Sequence, residues 1–108
     1  MFCRIVAGEI PAEIVTESDA AVAFRDAQPQ APLHVLVVPR THAADAGALS
    51  DTQPATVAEL VRVARQVAGD AGHESYRLVF NTGEGAGQTV FHTHLHVLAG
   101  RPLSWPPG

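Results

Sequence analysis

Three histidines occupy alternate positions in Phe91-His92-Thr93-His94-Leu95-His96-Val97, and they make up half of the six in the chain. Imidazole titrates close to neutral pH, so it can act as a nucleophile, a base or an acid under ordinary conditions. On an extended segment alternate side chains share a face, which puts His92, His94 and His96 together and Thr93, Leu95 and Val97 opposite. At about 3.3 Å per residue, neighbouring rings stand roughly 6–7 Å apart, a span that suits a phosphate. One neutral ring can then attack phosphorus while a protonated neighbour stabilises phosphate charge or supplies a proton.

Two other readings account for the same row. The histidines could face water on the polar side of an amphipathic strand, although sheet stability has no particular use for His at three alternate positions. They could hold a metal, since His-x-His plus a third donor is a workable zinc arrangement. Positions i and i+4 of an extended strand lie roughly 13 Å apart, which bars His92 and His96 from one ion with bonds of about 2 Å. A two-histidine site completed by His34 or a carboxylate stays open. The segment Gly83-Glu84-Gly85-Ala86-Gly87-Gln88-Thr89 precedes the row, and glycines allow backbone amides to surround an oxyanion. Glycine-rich stretches are also ordinary turns, and no Walker lysine follows this one.

These residues need a scaffold. Leu33 to Val38 is rich in β-branched residues, stops at Pro39 and predicts a strand buried on both faces, with His34 as its polar exception. Short strands are expected over Ile14 to Thr16 and Ala21 to Phe24, joined by the polar Glu17-Ser18-Asp19. Further strands are expected over Arg77 to Asn81 and Phe91 to Ala99. Phe2 to Ile10 has apolar spacing nearer a short helix, ended by Ile10-Pro11. Asp26 to Pro32 is a loop. Val57, Leu60, Val61, Ala64, Val67 and Ala68 form one stripe of a longer helix. That helix is expected to begin near Ser50 or Asp51, with Pro54 in its first turn and Gly69 or Gly72 at its end.

With 108 residues and 46% hydrophobic composition, the chain has the size of one domain over residues 1–108, with enough core to fold without staples. A net charge of −4 and scattered basic residues offer no footprint for nucleic acid polymer. No apolar run reaches the roughly 20 residues needed to span a bilayer. One cysteine, Cys3, makes no internal bridge, which fits a reducing, cytoplasmic setting.

Taken with Gly87-Gln88-Thr89-Val90 before it, the His92-x-His94-x-His96 row resembles the histidine triad family, most strongly its Hint branch. The likeness also covers Phe2 to Pro11, Ala23 to Arg40 with Pro29-Gln30-Ala31-Pro32 and His34, Tyr76 to Asn81, Gly87 to Gly100, and Trp105-Pro106-Pro107-Gly108. The resemblance implies an α+β fold: a five-stranded antiparallel sheet, one main helix, a short N-terminal helix, and a homodimer in which the sheet continues. It implies hydrolysis of purine nucleoside phosphoramidates through a nucleotidyl intermediate on His94, with an AMP- or GMP-type nucleotide as substrate. His92 and His96 match the flanking triad members, and His34 matches a further histidine of the cluster. Gln88 and Thr89 match phosphate or leaving-group contacts, as does neighbouring Gly87; Asn81 and Asp26 match positions near phosphate and ribose. Phe2, Ile5, Ile10 and Phe24 match the apolar purine pocket, and Trp105 a tail that reaches the partner subunit's site.

The chain departs from the family at several points. Thr89 stands where Ser is common, and Ala27 where a larger aliphatic is usual. Some bacterial relatives bind structural zinc through paired cysteines, but Cys3 has no second thiol, so no metal or other cofactor is expected. His42 and His73 fall outside the motif and are expected at the surface. Alternative activities are hydrolysis of a dinucleoside polyphosphate, nucleotidyl transfer to an acceptor other than water, a zinc-dependent hydrolysis, and a nucleotide-binding or interaction module without catalysis.

Overall fold

The computed structural model describes residues 2–108. In chain order the elements are α1 (Phe2–Val6), β1 (Ile14–Glu17), β2 (Ala21–Arg25), β3 (Leu33–Pro39), α2 (Ala46–Thr52), α3 (Pro54–Asp70), β4 (Arg77–Val79) and β5 (Leu95–Ala99). The strands form one antiparallel sheet in the order β1-β2-β3-β5-β4. This is the expected α+β architecture of five antiparallel strands with one main helix and a short N-terminal helix.

β3 is central and buried along its whole length, as its apolar composition, His34 excepted, requires of a strand covered on both faces. Alternation divides its side chains. Leu33, Val35 and Val37 join Ala21, Ala23, Leu95, Val97 and Ala99 beneath Leu49 of α2 and Leu60, Val63, Ala64 and Val67 of α3. Leu36 and Val38 face the other way with Val22, Phe24 and Phe2 of α1. His34 shares this second face, as does His96, which pairs with Leu36 across β3 and β5.

Several boundaries differ from the sequence expectation, α1 ending already at Val6 instead of Ile10. The helical region begins earlier, with α2 capped by Asp45, whose carboxylate accepts from the Ala48 amide. Gln53 interrupts it, and Pro54 starts α3, where a missing N–H is harmless. The strand expected from Arg77 to Asn81 stops at Val79. β5 starts only at Leu95, so His92 and His94 precede the ladder. The reason is Thr93, whose amide and hydroxyl both donate to the Ala43 carbonyl, at 2.7 and 3.0 Å. That tie holds the segment against the loop after β3 instead of a neighbouring strand.

Candidate active site

His96 and His34 are diagonal neighbours on one face of adjacent antiparallel strands, close enough for long side chains to meet. Their Nδ1 and Nε2 atoms lie 2.9 Å apart. The Gln30 amide donates to His34 Nδ1 at 3.0 Å, and the carboxylate of Asp26 lies 3.4 Å from His34 Nε2. His94 lies against this pair, its ring centroid 5.1 Å from that of His96 and 4.9 Å from that of Phe2. Although the strand begins later than expected, His94 and His96 still meet, closer than two fully extended steps would bring them.

Hydrogen-bond partners determine where the protons sit. His94 Nδ1 is 2.8 Å from the carbonyl oxygen of His92. A carbonyl only accepts, so Nδ1 carries the hydrogen and neutral His94 keeps a lone pair on Nε2. His92 makes the complementary arrangement with Pro39, whose carbonyl is 3.0 Å from its Nε2.

The surroundings of the neighbouring rings weigh against their protonated forms. Burial is the first cause that lowers the pKa of His34, partly opposed by Asp26. Burial also lowers His92, against the opposing pull of the Pro39 carbonyl. His96 is pushed to about 4, first by burial and then by the charge that His94 and His34 would carry. Burial thus disfavours the charged form of all three rings.

A cavity of about 670 Å³ opens on this face, within the usual range for small-molecule sites. Phe2, Ile5, Ile10, Phe24 and Leu36 form its apolar wall, Asp26 and Ala27 its rim, and Thr89, Val90, His94 and His96 the reactive end. The cavity thus gathers six expected pocket residues, Phe2, Ile5, Ile10, Phe24, Asp26 and Thr89, beside two triad members. The other expected residues are placed elsewhere. His34 is behind His96, and His92 is 2% exposed beneath Phe2. Asn81 is half-buried beyond the end of β4 and does not line the cavity.

The glycine-rich loop is not an amide cradle here. The amides of Ala86 and Gln88 donate to the Gly83 carbonyl and that of Gly87 to Glu84. Gln88 is 2% exposed, and its amide group holds three backbone segments. Oε1 accepts from Gly83 N–H, while Nε2 donates to the carbonyls of Ala44 and Val90. Gly87 and Gln88 therefore position Thr89 rather than lining the cavity themselves. Trp105 is 82% exposed, and Arg77 of β4 grips the two carbonyls before it, Leu103 and Ser104.

His42 is exposed, as expected, but its ring reaches a triad member. Its Nδ1 lies 3.1 Å from His92 Nδ1, and Cys3 Sγ is 3.3 and 3.2 Å from the two nitrogens. With Cys3, the His42 and His92 rings bring three potential metal donors together. Bonds of about 2.0 Å to nitrogen and 2.3 Å to sulfur would fit a zinc ion among them, with a fourth position open. The Pro39 carbonyl on His92 Nε2 is the outer-shell partner that a ligating histidine commonly has.

Comparison with known proteins agrees with this geometry. The model of the HIT domain family matches residues 7–103. An uncharacterized HIT-like protein of Synechocystis is 48% identical over 109 residues, covering 100% of this chain and 96% of that protein. A HIT family hydrolase from Legionella pneumophila superposes with a TM-score of 0.95 at 44% identity, over 100% of this chain and 98% of that one. A histidine triad protein from Clostridium difficile gives 0.90 at 38% identity, over 95% and 91%. The buried histidine cluster, the five-stranded sheet beneath it and these relatives together make this chain a member of the histidine triad, or HIT, domain family.

Proposed function

We propose that the protein hydrolyses the P–N bond of purine nucleoside phosphoramidates through a nucleotide covalently held on His94. The observation that carries this reading is the bond from His94 Nδ1–H to the His92 carbonyl, which leaves Nε2 as the one nitrogen free to attack. His94 Nε2 forms a bond to phosphorus and the P–N bond breaks. The departing amine takes a proton from a neighbouring donor, for which the Thr89 hydroxyl and the His96 ring stand on the same cavity wall. Water then attacks phosphorus and returns a proton to that donor, the P–His94 bond breaks, and the nucleoside monophosphate leaves.

The apolar wall of Phe2, Ile5, Ile10 and Phe24 suits a purine, and Asp26 can accept from both ribose hydroxyls. The size of the cavity fits one nucleotide. A homodimer joined along β4 is the proposed assembly: β4 ends the sheet, and the exposed Trp105 segment extends from it. The Trp105-Pro106-Pro107-Gly108 stretch supports the Hint branch, and the composition a cytoplasmic setting. Among the described residues no helix is long and apolar enough to cross a membrane.

Mass spectrometry of protein quenched during turnover of an adenosine phosphoramidate tests the mechanism. Nucleotidylation on His94 is expected, and His94→Asn should fold normally while losing turnover. Undiminished hydrolysis by that variant rejects the nucleophile. Faster turnover of a diadenosine polyphosphate than of the phosphoramidate would move the substrate assignment instead.

A further inference from the structure

We propose that Gln30 and Arg101 are positioning residues that select the tautomers of His34 and His96, so that His96 presents an N–H to the reacting phosphoryl group. The inference rests on the site proposed above and starts outside it, in the loop between β2 and β3. A backbone amide can only donate, so the Gln30 N–H at 3.0 Å requires a lone pair on His34 Nδ1. Neutral His34 then carries its hydrogen on Nε2, which faces His96 Nδ1 at 2.9 Å. His96 Nδ1 must accept, and its own hydrogen is therefore on Nε2. The Asp26 carboxylate, at 3.4 Å from His34 Nε2, accepts the same hydrogen and favours the same form.

The polarity of this relay matters because, between the two rings alone, its reverse makes an equally good bond. With hydrogen on His34 Nδ1, His96 would donate backward to His34 and turn a lone pair toward the cavity. A lone pair facing a phosphoryl oxygen repels it, whereas an N–H stabilises the charge that oxygen gains in the transition state. The Gln30 amide, seconded by the Asp26 carboxylate, separates the two arrangements, since His34 and His96 are symmetric donors and acceptors between themselves.

Two residues after β5 hold that amide in place. Arg101 Nε donates to the Gln30 carbonyl at 2.8 Å. Gly100, at φ 97°, brings the backbone so close to Pro32 that a Cβ on it would stand 2.8 Å from Pro32 Cβ. The loop is thus buttressed from the strand that carries His96, and Gln30 is held in register with His34.

Long-range nitrogen–proton NMR of isotope-labelled histidine reads the tautomers directly, alongside steady-state turnover of an adenosine phosphoramidate. In the native chain, hydrogen on Nε2 is expected at both His34 and His96. Gln30→Pro deletes the donor; mixed tautomers and a kcat reduced by about tenfold or more are expected, with KM nearly unchanged, because losing one transition-state donor costs on the order of 10²–10³ in full. Arg101→Ala, a change at an exposed side chain, should give a smaller loss of about threefold with partial mixing, and Arg101→Lys should recover part of it. Native Nδ1–H at His96 overturns the proposal, as do unchanged tautomers and kcat in Arg101→Ala if Gln30→Pro does not fold. The expected native tautomers without phosphoramidate turnover would retain the relay and reject the substrate class instead.

Discussion

Gln88 separates a scaffold role from a ligand-binding role by measurement. Its amide makes three bonds, to Gly83 N–H at 2.8 Å and to the carbonyls of Ala44 and Val90 at 2.7 and 3.1 Å. Replacing it with leucine keeps most of the volume and strands all three groups in a part-buried setting. Each stranded group costs about 1–3 kcal/mol, so the sum is roughly 3–9 kcal/mol before loops relax or water enters. Against a domain stability of about 5–15 kcal/mol this is a large fraction. At roughly 4–8 °C per kcal/mol for a domain of this size, melting should fall by about 12 °C or more. Gln88→Glu should be no better, since it keeps the acceptor for Gly83 but turns a carboxylate oxygen on two carbonyls. Chemical unfolding and calorimetry provide the readout, with turnover measured well below the new midpoint. If Gln88→Leu unfolds within about 1 kcal/mol of the native chain while turnover collapses, the side chain serves the nucleotide, and the scaffold reading is refuted.

Two further outcomes are expected. Stability should decline as pH is lowered from about 6.5 toward 4, because the unfolded chain takes up protons at His96 that the folded chain, with its pKa at about 4, refuses. The contribution is bounded at about 3 kcal/mol, levels off below pH 4, and is reinforced by the lowered His34 and His92; urea unfolding of the native chain and of His96→Asn across this range should show a shallower slope in the variant, and equal slopes would refute the assignment. Cobalt(II) added to metal-depleted protein should give a thiolate charge-transfer band that disappears in Cys3→Ala and weakens in His42→Ala, whereas a spectrum of plain aqueous cobalt would show that Cys3, His42 and His92 hold no metal.

What the sequence made legible follows from how local each signal is. β3 was readable because seven buried residues in a row leave few alternatives, and α3 because its stripe repeats over 17 residues. α2 was missed since it offers one buried side chain, Leu49, and no stripe. The start of β5 was misplaced because alternation looks the same whether a segment pairs with a strand or, like Thr93, is tied to a distant carbonyl. The histidines were recognisable by type and spacing, but their charge was not, because burial depends on Phe2, His34 and Asp26 arriving from other parts of the chain. His42 reaches His92 across 50 positions and Cys3 reaches it across 89, separations at which no periodicity operates.

The two faces of the sheet carry unequal burdens. α2 and α3 cover one with the larger apolar cluster, while the other has the short α1 and an open cavity. Cohesion of the domain is thereby concentrated away from the nucleotide. Residues along the rim such as Ile5, Ile10 and Ala27 can change size without disturbing the layer beneath α3. The proposed base pocket can therefore be reshaped with little cost to the fold, whereas His34 and His96 are anchored in β3 and β5 themselves.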